Sequence, residues 1–376
     1  MGRVRTTLLV VVAVIILAFL FIHRVSGKMP DFAVYWTAAN RASHAETLYR
    51  AEDGHYQFKY LPAFAILTIP LGAVSLETAK AAWFVTSIAL LVLLLVSSLK
   101  LVPEPRRATP VLVTLTLLVM AKFFGHELVL GQMNTLFGVI ATAAGLAALN
   151  GREAMSGALT ALAIVVKPYA VLFLPWLVAR RRLTSISVAL FGCAIVVCLP
   201  CVIYGVQGTI QLHREWWTTV TASTAPNLTN ADNVSIAAMW AKWIGVGRLA
   251  TTLAALTSVS ALGIAAIVFA RRTSVRAPEA LECALLLTLI PLLSPQGWDY
   301  VFLIATPAVM LLVNYDDRLP QAARILTRAA LFTIALSLYD LMGRAAYGIF
   351  MSLSLITVCF FIVVAGLSVL RARAIA

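Results

Sequence analysis

The 376-residue chain is 61% hydrophobic and only 12% charged, with a mean hydropathy of +0.93. That balance excludes an ordinary soluble globular protein and places the chain among integral membrane proteins with several spans. The formal charge of +13 comes largely from Lys and Arg gathered at the ends of apolar runs, where they set orientation, so it makes no case for a nucleic-acid partner.

Arg3 and Arg5 precede an apolar run at 7–22, which is long for a signal-peptide core and about the length of a first, uncleaved span. The segment that follows is polar to Tyr60. Residues 61–74 are apolar again but short, and they carry Pro62 and Pro70. Reading them as a span would put Lys100, Arg106 and Arg107 outside, against the positive-inside tendency, so an interfacial or re-entrant helix is expected. Further spans are expected near 80–99, 109–124, 134–149, 153–166, 168–179, 184–204, 248–270, 279–293, 299–313, 324–342 and 347–370. With the first run this makes about twelve, both termini being cytoplasmic. The whole chain, 1–376, is read as a single all-α polytopic membrane domain with two long outer segments, 23–79 and 205–247. The five cysteines lie in apolar segments. Cys198 and Cys201 match C-x-x-C without the βαβ context of a redox motif and are read as ordinary core residues.

Most of the informative polar residues fall on the outer side of this topology. Asp31 opens the stretch 31–41, where Asp31, Tyr35, Trp36 and Ala39 suit a helix lying in the interface. The carboxylate is either a general base or the N-cap of that helix. Lys59, next to Tyr60, is either a point charge for a phosphate or a snorkelling helix end. Gln132 and Asn134, preceded by Lys122, His126 and Glu127, place amides where sugar hydroxyls could bond them, unless Asn134 only caps a helix. Lys167, ahead of Pro168, is a costly cation unless it meets an anion such as a lipid phosphate. The second outer segment carries His213, Arg214, Trp216 and Trp217, then Asn227 and Asn233. Arg214 suits a phosphate, and the tryptophans suit sugar stacking or interfacial anchoring. Trp298 and Asp299 sit in a tight outer turn, Asp299 being a second site carboxylate or a cap. No spacing of metal ligands, Walker A pattern or G-x-G-x-x-G is present, so neither a cofactor nor a metal is expected.

Taken in order, the stretch 31–41, Tyr49, Lys59-Tyr60-x-Pro62 with Pro70 behind it, Gly131-Gln132-x-Asn134, Lys167-Pro168, Asn233-x-Ser235 and Ser294-Pro295-x-x-Trp298 resemble glycosyltransferase family 87. This group of bacterial membrane proteins, in the GT-C superfamily, includes polyprenol-phosphate-mannose-dependent α-1,2-mannosyltransferases. The resemblance implies a polyprenyl-phosphate sugar donor, a glycolipid or glycan acceptor, a periplasmic active site at the inner membrane, and an acidic base in the first outer loop. Asp31 is the position that matches that acid. Lys59, Lys167 and Arg214 then become donor-phosphate ligands, and Tyr35, Tyr60, Gln132, Asn134, Asn233, Trp298 and Asp299 contacts to sugar or acceptor. Many members carry His after the tryptophan, where this chain has Asp299-Tyr300. A transporter or lipid flippase is the rival reading; it calls for repeat symmetry or midplane polar residues on several helices, whereas the polar residues here gather outside.

Overall fold

The computed structural model describes residues 15–271 and 277–373, so Arg3, Arg5 and the first half of the expected span at 7–22 lie outside the described residues. The described chain is helical and contains no strand; one isolated bridge joins Asn233 to Trp298. The helices are α1 (Ile15–Val25), α2 (Pro30–Ser43), α3 (Pro62–Leu67), α4 (Ile69–Gly72), α5 (Leu76–Lys100) and α6 (Thr109–Leu130). Next come α7 (Asn134–Leu149), α8 (Glu153–Val166), α9 (Phe173–Ala179), α10 (Leu183–Cys198), α11 (Cys201–Asn227) and α12 (Ile236–Ile244). The remainder are α13 (Arg248–Ala270), α14 (Pro278–Leu293), α15 (Thr306–Asn314), α16 (Gln321–Leu336), α17 (Tyr339–Ser352) and α18 (Leu355–Ala372).

Four of these, α5, α6, α13 and α18, are long and apolar enough to cross a bilayer, or six if each of two bent pairs counts as one span. The chain is therefore a multi-pass, all-helical membrane protein. Several segments expected as spans are shorter: at 1.5 Å per residue a 16-residue helix such as α7 covers only ~24 Å, less than a ~30 Å hydrocarbon core. Two others are broken. The expected span 184–204 stops at Cys198, where α10 and α11 meet at 87° beside Pro200, and 324–342 stops at Leu336, where α16 and α17 meet at 108°. Residues 61–74 form the short helices α3 and α4, separated at Thr68, which is compatible with the expected interfacial or re-entrant arrangement.

Lipid is as apolar as leucine, so close helix contacts in a membrane rest on small residues. That is how α8 meets α10. A methyl group added at Gly157 would collide with Ser185 O, and one at Gly192 would lie 2.6 Å from Ala161 Cβ. The same device seats α2. Gly131 ends α6 with φ +69, and a Cβ there would come within 2.7 Å of Phe32 Cβ. Phe32, Tyr35, Ala38, Ala39 and Ala42 form the buried face of α2, so Asp31 is carried to the junction of α6 and α7.

Candidate active site

Helix α2 starts after Met29, which takes the left-handed conformation, with Pro30 in the first turn where its missing N–H costs nothing. No side chain caps this helix, so Asp31 is not its N-cap. The carboxylate points elsewhere: Gln132 Nε2 donates to Asp31 Oδ2 at 2.6 Å and to Tyr300 Oη at 3.2 Å. Gln132 Oε1 accepts from Tyr35 Oη at 2.9 Å and from Tyr60 Oη at 3.4 Å, and the two phenols lie 2.8 Å apart. One amide thus binds a carboxylate with its nitrogen and phenols with its oxygen, which fixes its orientation.

Behind Gln132 stands Glu127, fully buried. Its carboxylate accepts from Asn134 Nδ2 at 2.9 Å, from the Thr135 backbone N–H at 2.7 Å and from the Thr135 hydroxyl at 3.2 Å. An acceptor at the start of α7 also satisfies an N–H group that the first turn of the helix leaves open. Asn134 is therefore neither a cap nor exposed to substrate. It is completely buried and joins Glu127 to Gln132 Oε1 at 3.4 Å.

Asp31 faces a cavity of about 480 Å³. Around it stand Tyr35 from α2, His55, Lys59 and Tyr60 from the following segment, His126 and Gln132 from the α6–α7 junction, and Lys167 from the break after α8. Asn230 and Asp232, then Gln296, Trp298, Asp299 and Tyr300, close the far wall. Lys167 has an extended backbone, as expected for a residue before proline, and its ammonium lies 4.5 Å from the centre of the Tyr60 ring. Lys59 is held by its own backbone: its carbonyl accepts from Trp216 Nε1 at 3.1 Å, and Tyr49 Oη donates to the next carbonyl at 2.7 Å.

Burial raises the Asp31 carboxyl above its ordinary range, while the Gln132 hydrogen bond and the nearby Lys167, His55 and Lys59 oppose that shift by favouring the ionised form. Burial lowers Lys59, and Asp31 opposes this. A carboxylate less acidic than usual, with one oxygen bonded by an amide and no guanidinium on it among the described residues, is suited to take up a proton.

The structure thus brings Asp31, Tyr35, Lys59, Tyr60, Gln132, Lys167, Trp298 and Asp299 of the sequence candidates to one cavity. Three others are not part of its lining. Arg214 is exposed on α11, Asn134 is spent on Glu127, and Asn233 is fully buried, its amide donating to Asn227 O and Pro295 O. Asp299 caps no helix; its carboxylate pairs with Lys122 at 3.0 Å and with His126 at 3.3 Å. His55 and Asp232 carry no signal of their own in the sequence, and the sequence gives His126 and Glu127 no role. The visible clue for Glu127 was an acid within an apolar helix, which is expensive unless its partners are built in.

Residues 58–295, more than half of the chain, match the family model described as Glycosyltransferase family 87. No curated protein and no solved structure matches this chain.

Proposed function

Starting from the fact that the chain belongs to glycosyltransferase family 87, and is therefore a membrane glycosyltransferase, we propose that it transfers a hexose, mannose or a close relative, from a polyprenyl phosphate to a glycolipid or glycan acceptor. In this reading Asp31 is the general base. It takes the proton from an acceptor hydroxyl whose oxygen forms the new bond to the anomeric carbon. The bond from that carbon to the phosphate oxygen breaks, and the electron pair leaves with the lipid phosphate. One displacement inverts the anomeric centre. Lys59 and Lys167, both on the cavity wall, meet the charge that grows on the departing phosphate.

What carries the reading is a single observation: one oxygen of Asp31 is held by Gln132 at 2.6 Å, in a cavity that also presents two lysines. A held carboxylate that shares its cavity with two cations is what proton removal and a phosphate leaving group require together. The finer organisation proposed with it is GT-C-like, with about twelve spans in which bent and short helices contribute, both termini cytoplasmic, and the cavity opening to the periplasmic face of the inner membrane.

The test is incubation of purified protein with a panel of polyprenyl-phosphate hexoses and candidate glycolipid acceptors, following release of free polyprenyl phosphate. Acceptor-dependent release from at least one lipid donor is expected. Transfer from a nucleotide sugar alone, or movement of the lipid across a vesicle without chemical change, contradicts the proposal.

A further inference from the structure

The charges around the cavity fall into two groups. Lys167, His55 and Lys59 act on Asp31. Asp232 is instead surrounded by Asp299, His126, Lys122 and Lys242. In this second group the two lysines are already committed to the protein. Lys122 is 97% buried or more and pairs with Asp299 at 3.0 Å. Lys242 donates to Ala231 O at 2.8 Å, to Asn233 O at 2.7 Å and to Met351 O at 3.4 Å. Neither lysine lines the cavity, whereas Asp232 and His126 both do.

These two side chains are left with bonding capacity. The Asp232 backbone is tied down, its N–H donating to Asn230 Oδ1 at 3.0 Å and its carbonyl accepting from the Asp299 N–H at 2.9 Å, but its carboxylate has no protein partner among the described residues. His126 offers Nδ1 to Asp299, and an ionised carboxylate paired with Lys122 can only accept, so Nδ1 carries the hydrogen. Nε2 is then left for whatever fills the cavity, as an acceptor on the neutral ring and as a donor on the imidazolium. Trp298 stands beside them as an aromatic wall.

We propose that Asp232, His126 and Trp298 form the acceptor subsite, and that it takes an uncharged, hydroxyl-rich glycan unit and rejects one carrying phosphate or carboxylate at that position. This rests on the transferase reading above and names its acceptor class. A carboxylate and an imidazole suit sugar hydroxyls, and a second anion placed against Asp232 would repel it, because among the described residues the two lysines of this group are already bonded to the protein. The leaving phosphate has its cations in the Asp31 group, so the two halves of the reaction are sorted by charge. Asp299 and Lys122 act through His126 as positioning residues, setting its tautomer and ring orientation.

Binding is measured with protein in lipid nanodiscs, using a short-chain alkyl hexoside and the same glycoside oxidised to a carboxylate at C6. The wild-type protein is expected to bind the uncharged glycoside at least about tenfold more tightly, the size of one charge-assisted hydrogen bond gained or lost. Asp232→Asn should weaken the uncharged glycoside about tenfold and remove most of the discrimination. His126→Gln should weaken it several-fold, and in transfer assays both variants should raise the acceptor KM while the donor KM stays within about twofold. Equal wild-type affinity for the two glycosides, or an Asp232→Asn protein with unchanged affinity and selectivity, overturns the proposal. Binding with the expected pattern but no polyprenyl phosphate release from any donor supports the glycan subsite and contradicts the transferase chemistry on which its role as an acceptor site rests.

Discussion

Two regions of the molecule gather carboxylates, and they differ in how far the protein bonds them: one ties its buried acids to arginines, whereas at the cavity the half-buried Asp31 and the exposed Asp232 keep free capacity. Helix α14 carries Glu282 in its first half and ends at Leu293, next to Ser294 on the cavity wall; α6 follows Arg107 and reaches His126 near its end; residues 299–316 run from the cavity wall to Asp316. The same elements therefore join the two regions. At the first, Glu282 is fully buried and accepts from Trp176 Nε1 at 2.9 Å, from Arg371 Nε at 2.8 Å and from Arg180 on both oxygens. Asp316 is held by Arg107 and Arg328, each at 2.5 Å. At the second, Asp31 receives one amide hydrogen bond, and Asp232 receives none on its side chain among the described residues. Saturated carboxylates fasten helices together, and under-satisfied ones in a cavity keep bonding capacity, which the proposed function assigns to substrate.

Removing a charge from the saturated region should give the largest change in stability. Glu282→Gln leaves Arg180 and Arg371 facing a neutral amide, and breaking a buried pair in this way costs about 3–5 kcal/mol. Thermal unfolding in detergent should show a much lower midpoint, while the folded fraction retains its kcat; a normal midpoint would mean that the clamp is not structural. At the cavity, Lys167→Met should leave the fold intact and raise the donor KM by about 10–100-fold, the cost of losing one charged contact to phosphate. An unchanged donor KM would remove Lys167 from the phosphate.

A smaller effect is expected from the residue that holds the base. Burial keeps the Asp31 carboxyl above its ordinary value of 3.8, so kcat/KM should fall as pH drops through that raised value, and the acid limb should lie above pH 3.8. Gln132 favours the ionised form, so Gln132→Ala should move the limb to higher pH and slow transfer several-fold; a limb that stays in place would assign it to another group. The linked effect on stability has the opposite sense. A carboxyl raised by folding contributes most below its unfolded value and loses that contribution as pH rises through the folded one. Arg214, exposed on α11, should tolerate replacement by Ala with both KM values within about twofold.

The sequence made one part of this contrast visible and concealed the other. Asp31, Lys59, Gln132, Lys167 and Trp298 were legible because each is a polar or aromatic residue at the end of an apolar run, where burial demands a reason. Such a pattern marks where polar residues interrupt apolar runs, but not the direction a side chain takes around its helix. Arg214 lies on α11 as Trp216 does, yet only Trp216 of the two turns inward to bond Lys59. Asn134 and Asn233 carried the right chemistry for sugar and are consumed by Glu127 and by backbone carbonyls, partners 7 and 62 residues away for the bonds concerned. The span pattern was hard to read for a related reason. Hydropathy records an apolar run whether or not the helix continues through it, and the breaks near Pro200 and Ser337 divide such runs.

The most direct test of the account is single-turnover transfer by Asp31→Asn, with donor-lipid affinity measured on the same preparation. Loss of the base should slow transfer by about 10²–10⁴-fold while donor affinity stays within about twofold. An Asn variant that transfers at the wild-type rate would contradict the assignment of Asp31 as the base.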